Sequence, residues 1–536
     1  MPRFALTVLI AVLFKGNSAG QSAFAAAQGD SVLQLRTNEV DSSTSGNVDA
    51  REPIRAPKTD GHFKQVSSYV EVDPVPAYRH ASETAYEAFH DWKFGIRIHW
   101  GLYSIDGKGA ESWPLLKLSN ENKQRYQNLY KTWNPQGFNA EEWMQFFDRS
   151  GIRLMAFTSK HHEGFSMFDT KTRVKQRVNW TAPGGPKFEA CDLAYSIMDT
   201  PFHRDVIKEL CNAAHKHDIK IELYYSHPDW YDADFRDIND SPAGKLGKAT
   251  PEERVRMLVR HRAQLKEIIS NYGRVDLVCL DQWMDKAAWP TLRETMLQLR
   301  GLQPDVMYRN RGIGNYGDYY TPEGFVPGAK ENTNMPWMVI YPLGGSFSYL
   351  KHDHFKGTRW IITNLIDVVA KGGNFMPGIG PDGDGRFDPE AIHELEAAGA
   401  WLKVNGEAIY ATRPRDGSLW KQGDNVRFTS SKGGKTIYAI FLKWPGRTAS
   451  IESVRPVEGT KVTMLGAATP LTWQYSLGKG LSVELPESLQ NEENRPCQNA
   501  WTLKISDCSE TTGTTTTVAP HGNAPVVTTS AIKLHQ

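Results

Sequence analysis

From about residue 85 to 410 the chain alternates short apolar runs with longer amphipathic stretches. Phe94 to Trp100, Arg153 to Thr158, Ile219 to Tyr225, Val275 to Leu280 and Val306 to Tyr308 have strand length. The stretches between them carry helix signals. Asn139-Ala140-Glu141-Glu142 reads as a capping-box-like start, and Trp143, Phe146 and Phe147 then build one apolar face. Thr250-Pro251-Glu252-Glu253 is a stronger start: a capping hydroxyl, a proline at the first helical position and a glutamate at the third. It predicts a helix to Tyr272 that stops at Gly273. Repeated strand–helix alternation predicts a parallel sheet.

Polar residues collect at one end of these runs. His99 and Trp100, Lys160 to Glu163, Tyr224 to Asp229, Asp281 and Arg309 to Arg311 each follow or close an apolar run. The strand ends of a (β/α)8-like TIM barrel form one cleft there, and an open doubly wound sheet also binds ligands at strand ends. No Gly-rich phosphate turn follows any strand, so the barrel is preferred, over residues 71–410. Beyond it the pattern shortens. Arg427-Phe428-Thr429-Ser430, Thr436 to Leu442, Lys461 to Leu465 and Leu481 to Leu485 predict a C-terminal antiparallel β-sandwich over 411–508. Residues 509–536 form a threonine-rich low-complexity tail.

The N-terminus changes the picture. A short basic start, an apolar run from Phe4 to Phe14 too short to span a bilayer, and Ala23-Phe24-Ala25 predict a signal peptide over 1–27. A polar, disordered leader is expected over 28–70. These features point to a secreted or periplasmic protein with no membrane span. Lysine plus arginine total 62 against 61 aspartate plus glutamate, which leaves no basic excess for nucleic acid or anionic lipid. The chain holds 16 Trp, 20 Tyr and 22 Phe, which fits either dense packing or stacking on sugar faces. Its 5 cysteines match no metal spacing. Cys497 and Cys508 lie near enough in sequence to pair in an oxidising compartment.

The stretch "TSKHHEGF" (158–165) is the most chemically loaded. Adjacent strand residues point to opposite faces, so His161 and His162 are poor joint metal ligands. Asp382-Gly383-Asp384-Gly385-Arg386 places an arginine where a calcium loop needs a ligand. Neither a metal nor a cofactor is expected. Asp281 ends an apolar run that needs no acid for solubility, so a helix cap and a catalytic carboxylate stand even. Glu323 sits in a turn, where a solvated glutamate competes with one member of a carboxylate pair.

Four stretches in order resemble the glycoside hydrolase family 29 α-L-fucosidases over roughly 85–412. They are "KFGIRIHWGLYSI" (93–105), "FNAEEWMQFFDRSGIRLMAFTSKHHEGFSMFDTK" (138–171), "GGNFMPGIGPDGDGRF" (372–387) and "WLKVNGEAIYAT" (401–412). The resemblance implies a retaining exo-glycosidase acting on fucosylated glycans without a cofactor. It places the nucleophile on Asp281 and the acid/base on Glu323. It places sugar contacts on His99, His161, His162, Tyr224, Arg311 and Phe347, with Trp113 and Glu111 in the first long loop. Cys279-Leu280-Asp281 departs from the W-x-D of many relatives, and Glu111-Ser112-Trp113 from their Glu-Trp pair. A related L-sugar such as L-galactose, or a sugar-binding relative without activity, are the alternatives. Burial or a nearby negative charge is expected to raise the Glu323 pKa, and histidines or Arg311 to lower that of Asp281.

Overall fold

In the computed structural model the described residues are 52–237, 240–327, 333–467 and 469–510, without the side chains of 509 and 510. The signal peptide, most of the leader and the tail lie outside them. Nine strands come first: β1 (Gly95–Ile98), β2 (Leu154–Lys160), β3 (Val174–Asn179), β4 (Lys187–Leu193), β5 (Lys220–Ser226), β6 (Leu277–Asp281), β7 (Met307–Tyr308), β8 (Met338–Pro342) and β9 (Asn374–Ile379). β3 and β4 form a separate antiparallel hairpin. The other seven make one parallel sheet, ordered β7-β6-β5-β2-β1-β9-β8. Every residue of β2, β6 and β9 is buried. That follows from helices covering the outer face while the inner face fills the barrel.

Between β7 and β8 the barrel closes through an irregular eighth stave. Tyr319 bridges in parallel to Arg309 on one side, while Tyr320 and Glu323 bridge to Trp337 and Ile340 on the other. The fold is therefore the expected TIM-like barrel, with one stave made of single bridges instead of a ladder. The predicted helix starts hold. Asn139 caps Ala140–Arg149, and Thr250 and Glu253 form a reciprocal capping box on Pro251–Ser270.

One expectation is corrected. Residues 52–70, read as disordered leader, are ordered and include the helix Gly61–Val66. Val66 and Val70 are buried in the barrel's core cluster. Their apolar partners come from distant loops, which the local polarity of the segment conceals.

The C-terminal region is a sandwich of β10 (Lys421–Gln422), β11 (Val426–Ser430), β12 (Thr436–Phe441), β13 (Thr448–Ile451), β14 (Val454–Met464), β15 (Trp473–Ser476), β16 (Gly480–Glu484) and β17 (Trp501–Glu510). Its sheets are ordered β10-β11-β12-β17-β14 and β13-β16-β15, all antiparallel. The sandwich joins the barrel's last helix, Pro389–Asn405, where Trp401 Nε1 donates to Ala500 O at 2.9 Å. Cys497 and Cys508 do not pair. Cys497 Sγ lies 3.2 Å from Ala500 O, before the start of β17. Cys508 is seven residues along that strand, roughly 20 Å away at strand rise.

Candidate active site

The ten residues singled out by sequence converge on the C-terminal face of the barrel. His99 follows β1, His161 and His162 follow β2, Tyr224 lies in β5 and Asp281 ends β6. Arg311 follows β7, Glu323 lies on the eighth stave and Phe347 follows β8. Glu111 and Trp113 come from the long loop after β1. The rings form one continuous lining. His99 stands edge-on to His161 at 5.6 Å and to Tyr224 at 5.3 Å, with Phe347 5.9 Å away. His161 stacks on Tyr224, and Trp113 sits edge-on to His162 at 4.7 Å. The Glu111 backbone N–H donates to Ser348 Oγ at 3.0 Å, beside Phe347.

Two glycines are needed for close approach. A side chain at Gly378 on β9 would begin 2.4 Å from the Phe347 ring. Gly164 has φ +86°, and a side chain there would collide with the Asp229 carboxylate. The glycine of "HHEGF" thus lets the histidine loop pass over Asp229. That carboxylate is itself buried in an ion cluster with Arg260 and, at 3.7 Å, Lys160. Lys160 is an underpinning of the loop, 1 % exposed.

Asp281 is buried at the cleft floor. Its Oδ2 accepts from Tyr224 O–H at 2.6 Å and its Oδ1 from Arg311 Nη1 at 2.6 Å. His162 Nε2 lies 4.0 Å from Oδ2. The next residue, Gln282, holds φ 64°, an uncommon left-handed conformation that turns the chain sharply after the carboxylate. Burial alone would raise the Asp281 pKa. Arg311 and then Arg309 outweigh it and hold the carboxyl well below the usual range. Burial, with smaller charge effects, lowers His99 to about 3 and His162 to about 4, and drives His161 well below its ordinary value. These rings are neutral at working pH and each offers one donor and one acceptor. The ionisation of Asp281 is therefore maintained mainly by Arg311 and Arg309, with His162 and His62 contributing less.

Glu323 departs from expectation. Its Oε1 accepts from Arg309 Nη2 at 2.9 Å and also from Arg311 Nη2. The surrounding protein pushes its carboxyl up, but Arg311 and Arg309 outweigh that and bring it down to about 2. Its side chain remains 43 % exposed. The expected upward shift falls instead on Glu111. Burial, then the charges of Glu323 and Asp281, push it to about 7. Glu111 also holds φ 48° and has a buried Oε1 without a hydrogen-bond partner.

Three participants lacked an assigned role in the sequence reading. Arg309, two positions before Arg311 in "YRNRG", touches both carboxylates, and its Nη1 also donates to Cys279 Sγ at 3.2 Å. The i, i+2 spacing was the available signal, since it puts both side chains on one face of an extended segment. Ser112 Oγ hydrogen-bonds His161 Nδ1 at 2.5 Å. Glu163, buried and raised to about 8 chiefly by burial, lies 3.8 Å from the same nitrogen. Among the described residues no group of three His, Cys, Asp or Glu side chains is placed to hold a metal ion. Nor is any helix among them long and apolar enough to cross a membrane.

A TIM-like barrel whose open face carries a carboxylate pair inside an aromatic and imidazole lining defines a glycoside hydrolase. The comparisons then narrow the class. Residues 76–407 match the α-L-fucosidase family model, and residues 421–506 match the α-L-fucosidase C-terminal domain. The chain belongs to the α-L-fucosidases of glycoside hydrolase family 29. It is 28 % identical over 462 residues to tissue α-L-fucosidase of Homo sapiens, covering 81 % of this chain and 89 % of that one. It is 29 % identical over 470 residues to plasma α-L-fucosidase of Rattus norvegicus, covering 81 % and 92 %. α-L-Fucosidase isoenzyme 1 from Paenibacillus thiaminolyticus shares the fold, with TM-score 0.67 and 23 % identity over 79 % of this chain and 99 % of that one. So does a trapped covalent intermediate of a Bacteroides thetaiotaomicron family 29 α-L-fucosidase with 2-fluoro-fucosyl fluoride, with TM-score 0.65 and 22 % identity over 81 % and 100 %.

Proposed function

We propose that the enzyme is a secreted or periplasmic retaining exo-α-L-fucosidase, removing terminal fucose from glycans by double displacement. The observation that carries the retaining mechanism is the shared guanidinium. Arg311 binds Asp281 through Nη1 and Glu323 through Nη2. Two carboxylates sharing one guanidinium favour the ~5 Å spacing of a retaining pair over the wider spacing that accommodates a water. Asp281, ionised and held by Tyr224 and Arg311, attacks the anomeric carbon; water then hydrolyses the glycosyl-enzyme. Neutral His99, His161 and His162 orient the sugar hydroxyls, and Phe347 and Trp113 pack against its apolar side.

Glu323 supplies the proton when the entering sugar takes over its arginine partners. A specific observation favours a second reading, in which Glu111 is the donor. It is the carboxyl already held near neutrality, and it feels the charges of both Asp281 and Glu323.

The test is Asp281→Gly on an aryl α-L-fucoside with added azide. Loss of turnover, with azide restoring release and yielding a fucosyl azide, is expected. Absence of both rescue and the azide product rejects Asp281 as nucleophile. N-terminal sequencing of the exported protein checks the leader: a mature start near residue 28 is expected.

A further inference from the structure

Residues 53–75 precede the stretch that matches the family model, yet they are built into the active face. The Asp60 carboxylate accepts from His62 N at 2.9 Å, capping the helix Gly61–Val66, and from Asn310 Nδ2 at 3.2 Å. Asn310 stands between Arg309 and Arg311. Tyr69 O–H donates to Met284 O at 3.0 Å, Asn315 Nδ2 to Val72 O at 2.6 Å, and Ala56 N to Asn315 Oδ1 at 2.9 Å. The segment thus grips the loop that follows the nucleophile at the end of β6 and the loop after β7 that carries the arginine pair.

Its helix delivers one functional side chain. The His62 ring meets Trp283, two residues after Asp281, edge-on at 5.7 Å. It lies close enough to Arg311, Asp281 and Arg309 for their charges to act on it. Burial and then Arg311 lower its pKa to about 4, so the imidazole is neutral at working pH. The effect is reciprocal, since Asp281 and His162 both respond to His62. A neutral imidazole beside an indole provides a donor, an acceptor and an apolar face, the combination that a hydroxylated sugar ring uses.

We propose that residues 53–75 form a wall of the substrate cleft, and that His62 is a further substrate-contacting residue. It would hydrogen-bond the bound glycoside from the side of the β6 and β7 loops. The inference rests on the α-fucosidase reading of the cleft. It extends the site beyond the part of the chain that the family model matches.

The test uses the full chain, with His62→Ala and His62→Gln compared with wild type on an aryl α-L-fucoside. Losing one neutral hydrogen bond to substrate lowers kcat/KM by about fivefold to tenfold in His62→Ala. Glutamine, keeping a donor and an acceptor, recovers part of it. Both unfolding midpoints stay within ~0.5 °C of wild type, because in a chain this long even a lost packing residue lowers the midpoint by only about 1–3 °C. Unchanged kcat/KM in His62→Ala overturns the inference alone. So do equal losses in both variants accompanied by lowered midpoints, which mean that the residue only packs. If the alanine variant fails to fold, reduced kcat/KM at a wild-type midpoint in His62→Gln supports the proposal, and wild-type kinetics refute it. A wild type inert toward the fucoside sinks the fucosidase reading together with the inference.

Discussion

The two halves of the barrel rim differ in how they hold their side chains. On the side of β1, β2, β5 and β6, long parallel ladders run up to the cleft and present His99, His161, His162, Tyr224 and Asp281. On the side of β7 and the eighth stave, a two-residue strand and single bridges carry Arg309, Arg311 and Glu323. Apart from the ionised Asp281, the regular half offers neutral hydrogen-bonding groups in fixed positions. The irregular half offers charge on backbone held by few ladder bonds. Substrate recognition and charge management are thus assigned to backbones of different stiffness.

The sharpest way to break this contrast is to remove charge from the irregular half. Arg311→Met should lower kcat/KM by about 10²-fold to 10³-fold, the scale of losing one preorganised electrostatic group. It should also move the acid limb of the pH profile. Asp281 attacks as carboxylate, and its pKa is depressed by the guanidiniums. Losing Arg311 raises that pKa, so activity fails at a higher pH as acid is added. A rate loss without movement of the limb would reduce Arg311 to a sugar contact.

Next in size is the proton donor. Glu111, raised to about 7, carries its proton below that pH and loses it as pH rises through it. If Glu111 donates, kcat/KM falls above about pH 7 in the wild type. Glu111→Gln then removes that limb and costs about 10²-fold on poor leaving groups. Persistence of the limb in Glu111→Gln, with its loss in Glu323→Ala, returns the role to Glu323. The sign for stability is separate. A raised carboxyl contributes fully below its unfolded pKa and loses that contribution as pH climbs to the folded value. Glu111→Gln should therefore raise the unfolding midpoint at pH 8 and leave it little changed at pH 4.

The smallest effect probes the regular half. Ser112→Ala removes the 2.5 Å partner of His161 Nδ1 and frees the ring to change tautomer. An increase in KM of about threefold to tenfold, with kcat nearly kept, is expected for one lost hydrogen bond in the positioning of a binding group. A fall in kcat as large as that in kcat/KM would instead make the histidine part of transition-state stabilisation.

Legibility in the sequence follows the same division. The ladder strands β1, β2, β5 and β6 have the continuous apolar runs that burial on both faces demands. They are present where the pattern predicts them, with ends shifted by a few residues, whereas the fifth predicted strand, β7, shrinks to two residues. Asp281 and the histidines were visible because each terminates such a run. The eighth stave, "YYTPE", has neither alternation nor an apolar run, and its strand-like role arises only from neighbours on both sides. The protonation states were also opaque. Whether Glu323 or Glu111 is neutral depends on which carboxylate the two guanidiniums reach, a matter of three-dimensional placement. His62 was hidden for another reason: its polar surroundings in sequence resemble a solvated leader, and its apolar and aromatic partners lie more than two hundred residues away.

The order of strands in the sandwich has a consequence for biosynthesis. β17, late in the chain, is inserted between β12 and the edge strand β14 of the five-stranded sheet, and Thr502 Oγ1 donates to Asn405 Oδ1 at 2.8 Å at the end of the barrel's final helix. Until the ribosome has released residues 501–510, that sheet is split into two unjoined parts. The barrel can close earlier, but its last helix lacks its partner until then. A nascent chain stalled before Trp501 would expose a ready-made slot for any passing strand, including the same strand of another copy.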